Sequence, residues 1–336
     1  MLYITTRDDH DAHTAYKTLV SDFASDGGLY IPFQMPVFDR DRLLSLKNKS
    51  FGDIVADLLN CFFSAGLTGW DVACAIGRNS VKLKSLGQKS IVVEPWHNPG
   101  RSFAYLENSL FQLVGNRNEI SKNPTNWGKI AVRIALLFGV YGQLRADDYL
   151  RAEETFHVSV RADSLTFLVA VLYAREMGLP IAMTLCADAA QSGVWDFVHH
   201  GRLNTNRFNG SLPADLERLT HAAWGKQVCQ CLHDTCKNNA VFTVPEGSTP
   251  LSENIFCSVI GNDRIGSVIN SVYRNNAYFI DSDTAVSFAA VQDYRAKAGE
   301  NRLTVMFGQN DPALSADFIA DAIGIAVSDV TSGTGK

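Results

Sequence analysis

The sequence predicts an α/β fold in which a parallel sheet is covered by helices on both faces. Three observations lead there. From residue 81 onward, short β-branched runs alternate with segments of helical spacing, and that rhythm implies parallel strands joined by crossover helices. The long helical segment opens on an Asn/Thr-rich cap and others stop at glycines, which is the chemistry of helix ends. The chain has 336 residues, 46% apolar and 19% charged. That is an ordinary globular composition, and the length supplies a large core with room for two domains.

The elements follow in order. Residues 1–80 open extended and then turn helical. "LYI" reads as a strand, and "FGDIVADLLNCFFSAG" (51–66) as a helix ended by its glycine. "SIVVEP" is a strand and "SFAYLENSLFQLVG" a helix. "NWGKIAVRIALLFGVYGQL" is a long helix. Arg133 interrupts its apolar run, so it reads as a buried helix and falls short of the ~18–20 apolar residues of a membrane span. "TFHVSVR" (155–161) is a strand, "LTFLVAVLYAREMG" (165–178) a helix and "PIAMTLCA" a strand. "NAYFID" and "RLTVMFG" read as late strands around the helix "DTAVSFAAVQDYRAKAG". The tail "SDVTSGTGK" is small and polar and is expected to be flexible. Ligands of such sheets sit beyond the carboxyl ends of the strands. The turns after Val93, Val160, Cys186 and Phe307 are therefore where a site is expected.

A formal net charge of −5 gives no basic footprint for nucleic acid, and no nucleic-acid or membrane partner is expected. The polar start "MLYITTRDDHDAHTAYK" has no signal-peptide core. Seven scattered cysteines fit free thiols, and together these features lead to the expectation of a cytoplasmic protein. Cys229, Cys231, His233 and Cys236 lie within eight residues but lack the paired spacing of a zinc site. They read as a helix with small buried residues, and no metal is expected.

Several stretches in register resemble threonine synthase, a pyridoxal-phosphate (PLP) enzyme of fold type II. "YITTR" is similar to that family's opening Tyr-x-Ser-Thr-Arg, and "FASDGGLYIPFQMP" (23–36) to its Asp-Gly-Gly-Leu-Tyr-Val-Pro. "NPTNWGKIAVRIALLFGVYGQL" resembles its Asn-Ser-x-Asn-Trp-Ala-Arg-Ile helix. "YAREMGLPIAM" and "FIDSDTAVSFAAVQDY" resemble its Tyr-Ala-Lys-Arg-Met-Gly-Leu-Pro-Ile and Asp-Pro-His-Thr-Ala-Val-Gly-Tyr-Ala-Ala runs. The matches run from about residue 3 to 325. The resemblance implies the tryptophan synthase β-like architecture of fold type II. An N-terminal threonine-synthase-type domain would span 1–80, an α/β core in two subdomains 81–328, and a flexible tail 329–336.

The departures fall on the cofactor contacts. The family places its Schiff-base lysine in His-Gly-Pro-Thr-Leu-Ala-Phe-Lys-Asp, and the corresponding run here is His97-Asn98-Pro99-Gly100-Arg101-Ser102-Phe103-Ala104-Tyr105. Ala104 stands at the lysine, and alanine forms no imine. The family's phosphate loop, Gly-Asn-Phe-Gly-Asp, becomes Asp163-Ser164-Leu165-Thr166-Phe167, and its Thr-Ala-His-Pro becomes Gln309-Asn310-Asp311-Pro312. No PLP and no other cofactor is expected. Lys89 and Lys129 lie nearby, but neither is at the motif position, and Lys129 matches a family arginine.

The vacated pocket gains polar groups. His97, Tyr105 and Asp163 are the candidate acid–base residues. Arg101, Ser102, Asn98 and Arg161 are the candidate substrate-binding residues. Plainer alternatives stand beside several of them: His97 as a turn residue, Arg101 as a solvated residue of a first helical turn, Tyr105 as a core filler, and Arg161 paired with Asp163 at the surface. Two functions follow. One is a cofactor-independent lyase, cyclase or isomerase acting on a small anionic metabolite, placed by analogy in specialised-metabolite biosynthesis. The other is a non-catalytic homologue that binds a ligand or a protein. The first predicts that His97, Arg101, Tyr105 and Asp163 converge on one cavity. The second allows them to diverge, or the space to be filled by Phe103, Leu165 and Phe167. A monomer or homodimer is expected.

Overall fold

The computed structural model describes residues 1–78, 81–87, 89–115, 120–161, 165–188 and 193–333. The N-terminal segment forms an antiparallel sheet of three strands, β1 (Leu2–Thr5), β2 (His13–Thr14) and β3 (Tyr30–Pro32), in the order β2-β1-β3. "LYI" occurs twice in the sequence, and both copies are strands.

The main sheet takes β4 (Lys82–Ser85), β5 (Ser90–Glu94), β6 (Phe156–Arg161) and β7 (Ile181–Asp188). A two-stranded hairpin, β8 (Arg202–Asn204) with β9 (Val241–Thr243), stands apart. Then β10 (Ile255–Val259) and β11 (Thr304–Phe307) complete the six strands. Their order is β10-β7-β6-β11-β5-β4, all parallel except β4, which runs antiparallel to β5. The last strand, β11, inserts between β5 and β6. The chain ends after 94, 161 and 307 are thereby brought side by side at one edge of the sheet.

Side chains of a strand alternate between faces, and two apolar clusters follow from this. Ile91, Val93, Val158, Val160 and Val305 pack against the helices Phe51–Phe63, Trp127–Ala146 and Leu165–Glu176. Val92, Leu185 and Met306 pack on the other face against Asn262–Asn276, Ser282–Ala298 and Ala316–Ile323. Tyr3, Leu19 and Ile54 of the N-terminal segment belong to the first cluster, so that segment shares its core with the sheet. Asn126 opens the long helix: its Oδ1 accepts from the Gly128 N–H at 2.8 Å, and its Nδ2 donates to Asp22 at 2.9 Å. Arg133, inside that helix, is buried and paired with Glu107 at 2.5 Å.

The structure corrects four sequence expectations. "NAYFID" is not a strand. Ala277 turns left-handed (φ 49°) after the helix, and Tyr278–Ile280 run unpaired. The tail is helical over Val327–Gly333 with Val330 fully buried, because one apolar residue finds the second cluster. The helix begun at Phe51 ends at Ser64 (φ 52°), two residues before its glycine. Strand β4 was not foreseen: "KLKS" is an exposed edge strand, and edge strands carry lysines in place of a β-branched run. No helix among the described residues is long and apolar enough to cross a membrane.

Candidate functional site

The loop that leaves β5 is a tight turn held by its own side chains. Asn98 is buried, and its Nδ2 donates to the carbonyls of Pro95 (2.5 Å) and Ser102 (3.0 Å). Arg101 takes a left-handed backbone (φ 49°), a conformation that costs a non-glycine residue energy unless neighbours hold it. Here they do. The Arg101 carbonyl accepts from the Asp311 N–H at 3.0 Å, and the guanidinium holds Asp311 Oδ2 through Nε (3.0 Å) and Nη2 (2.8 Å). Ser102 bridges to Asn310, and its Oγ accepts from the Tyr105 N–H at 3.2 Å, capping the next helix. Tyr105 lies over Gly100 and is 38% exposed.

Described residues of the three segments that the resemblance assigns to cofactor contacts come together beside this turn. The Phe103 N–H donates to the Gln309 carbonyl at 2.8 Å. Phe103 stacks on Phe167 with centroids 5.6 Å apart, and Phe307 closes edge-on against both, at 6.2 and 4.8 Å. All three rings are buried. Such aromatic contacts add to the area they bury. Arg133 lies over the Phe103 and Phe167 rings at 5.9 and 5.5 Å, and Lys129 Nζ is buried 4.0 Å from Glu107.

His97 faces elsewhere. Its Nε2 is 2.7 Å from Glu94 Oε2, and the Tyr278 hydroxyl donates to Glu94 Oε1 at 2.6 Å. Burial pushes the Glu94 carboxyl up, but the hydrogen bonds from His97 and Tyr278 and the charges of His97 and Lys84 outweigh it and hold it below the usual range. Burial first, and then the Glu94 charge, push the Tyr278 phenol far up, so it stays a donor. These three residues line a cavity of about 340 Å³ with Lys82, Lys84 and Trp96.

The sequence-chosen residues therefore split. His97 lines that cavity, whereas Arg101 and Tyr105 are absent from its walls. Asn98 and Ser102 fasten the turn and the helix start. Arg161 pairs with Asp283. Asp163 lies outside the described residues. Cys186 is fully buried in the core. Cys229 and Cys236 are buried while Cys231 is exposed, all on one helix. Sequence reasoning passed over Glu94, Lys82, Lys84 and Tyr278. The Glu94-x-x-His97 spacing was a usable signal. Tyr278 is 184 positions from its partner and left none.

Comparison with known proteins agrees with this architecture. A family model described as "Threonine synthase N terminus" matches residues 2–77. Threonine synthase-like 1 of Homo sapiens is 22% identical over 180 residues, which cover 50% of this chain and 24% of that protein. Threonine synthase of Pseudomonas aeruginosa is 24% identical over 188 residues, covering 52% of this chain and 39% of that protein. The matched region is thus well under half the length of these relatives. Among solved structures, a PLP-bound threonine synthase from Brucella melitensis superposes with a TM-score of 0.77 at 17% identity, covering 100% of this chain and 95% of that one. The yeast threonine synthase superposes with a TM-score of 0.78 at 14% identity, covering 98% and 94%. Residues 2–77 are thus matched in sequence by the threonine synthase N-terminal model, and the whole chain shares the fold type II architecture of the threonine synthases.

Proposed function

We propose that the chain keeps the threonine synthase scaffold without PLP chemistry and acts by binding a small molecule. The observation that carries this reading is the packing at the strand ends. Where the resemblance seats the cofactor, Phe103, Phe167 and Phe307 lie against one another, and Arg101, two residues before Phe103, is paired with Asp311. Ala104 stands at the lysine position. An alanine methyl and three phenyl rings offer no amine for an imine, so the described residues at this locus do not fit PLP chemistry. The nearest buried amine, Lys129, is engaged with Glu107.

The test is to mix purified full-length chain with PLP, record absorbance from about 300 to 500 nm, and follow with borohydride reduction and intact mass, since an imine lysine is what PLP chemistry requires. No stoichiometric imine band and no fixed mass increment is the expected result. A stable imine mapped to Lys129, or to any single lysine that survives gel filtration, overturns the reading.

One observation favours a second reading, a cofactor-independent lyase, cyclase or isomerase acting on a small anionic metabolite. The Glu94 carboxylate orients the His97 ring at the wall of a cavity, which is how a general base is positioned. Turnover of a candidate metabolite that is abolished by His97→Gln, with metabolite binding retained, is its expected signature. Turnover unchanged in that variant removes it.

A further inference from the structure

The cavity beside β4 lies at the sheet's outer edge, where β5 ends, and Phe103, Phe167 and Phe307 are not in its lining, although Pro312 is. One wall is cationic. Lys82 and Lys84 are two residues apart on an edge strand, so their side chains share a face, and Lys82 stands directly opposite Glu94 in the β4–β5 register. Neither lysine has a carboxylate within 4.0 Å among the described residues. Glu94, the one acid in the wall, already has both oxygens bound, by His97 and by Tyr278. In the lining two lysines stand against one ionised carboxylate; of the two further acids that act on Tyr278, Asp311 is paired with Arg101 and burial disfavours the ionised form of Asp281, so the wall is left with a cationic excess. Aromatic side chains supply much of the rest. Trp96 and Phe279 line it, and Lys84 Nζ stands 5.5 Å over the Tyr278 ring, so cation and aromatic face are presented together. The volume, about 340 Å³, is at the small end of small-molecule sites.

We propose that this cavity binds a small aromatic monocarboxylate, its ring against Trp96 and Tyr278 and its carboxylate between Lys82 and Lys84. The single excess charge selects a monoanion. A phosphate monoester brings a second negative charge toward Glu94, which is held ionised. The assignment rests on the binding-protein reading above and names its ligand class. The stacked rings at the strand ends take no part in it.

Calorimetric titration of the full chain with benzoate tests the proposal, with benzyl alcohol as the neutral arm and phenyl phosphate as the dianionic arm. Benzoate is expected to bind with a Kd of about 1 mM or tighter, with benzyl alcohol and phenyl phosphate each about tenfold weaker. The double variant Lys82→Gln/Lys84→Gln should lose about tenfold in benzoate affinity. Both positions are exposed on an edge strand, so the fold tolerates them, and a circular dichroism melt confirms it. Raising salt from about 0.05 to 0.5 M should weaken benzoate in the parent chain and leave the double variant unmoved. No benzoate binding below about 10 mM, equal binding of benzyl alcohol, or wild-type affinity in the double variant overturns the site. Tighter phenyl phosphate overturns the monocarboxylate assignment. These outcomes are read without PLP present, so they stand or fall independently of the imine measurement.

Discussion

At the scale of single residues, the strand-end region is decided by side chains that hold one another. Phe167 is the centre, in contact with Phe103 at 5.6 Å and with Phe307 at 4.8 Å, and 6% exposed. Truncating a buried phenylalanine removes its transfer free energy and leaves a cavity. Phe167→Ala is expected to lower unfolding stability by about 3–5 kcal/mol in a urea titration. A cost under about 1 kcal/mol means the ring is not packed as described. The same variant should still bind benzoate as the parent does, because Phe167 does not line the β4 cavity. Gly308 is a second case. A Cβ there would lie 2.1 Å from the Trp96 ring, so the cavity wall depends on a residue without a side chain.

At the scale of elements, the helix Ser282–Ala298 shows how a cap and a charge compete. Asp281 is buried. Its Oδ1 accepts from the N–H groups of Asp283 (2.9 Å) and Thr284 (3.2 Å), and its Oδ2 accepts from the Thr284 hydroxyl (2.5 Å). Burial nevertheless raises its pKa, outweighing those hydrogen bonds. The cap stabilises the helix while the ionised charge costs energy. Asp281→Ala removes the cap and should cost about 1–2 kcal/mol. Asp281→Asn keeps an acceptor without the charge and should cost less than the alanine variant at neutral pH. Chemical denaturation of the two variants side by side checks the order, and equal losses would mean the cap is not what the carboxylate supplies.

At the scale of the whole molecule, stability depends on buried titrating groups in the sheet and in the helix Ala214–Lys237. His157 on β6 is 1% exposed, with Nε2 2.5 Å from Glu300. Burial is the largest influence and lowers its pKa below 6.5, against the Glu300 hydrogen bond. His221 and His233 are lowered by burial as well. As pH falls, the unfolded chain binds these protons first. Their contribution is therefore present above the unfolded value near 6.5 and lost as pH falls toward the depressed folded values. Glu94, Asp293 and Glu300 are also lowered and add the same sign further into acid, while Asp281 and Asp215, raised by burial, oppose it there. Stability measured by urea should fall between about pH 7 and 5, and His157→Gln should flatten part of that slope while leaving the more acid limb in place. An unchanged slope in the variant assigns the effect to the other histidines.

Much of this was legible in the sequence. Strand–helix alternation, caps and the "FASDGGLYIP" run fixed the class of fold and its resemblance. The resemblance assigns Ala104, 163–167 and 309–312 to cofactor contacts, and among the described residues of these segments the structure brings Phe103, Phe167 and Gln309 together. These signals are local: periodicity, capping and turn chemistry act over a few residues. What the tertiary structure alone decided is who meets whom. Arg101 finds Asp311 across 210 positions and Tyr278 finds Glu94 across 184, because β11 inserts between β5 and β6 and an unpaired segment, read from sequence as a strand, runs past the end of β5. The same crossings send His97 to the lysine-lined edge and Arg101 to Asp311, although the two are four residues apart. No spacing rule contains that outcome, since the direction a side chain takes at a strand end is set by the partner that satisfies its charge.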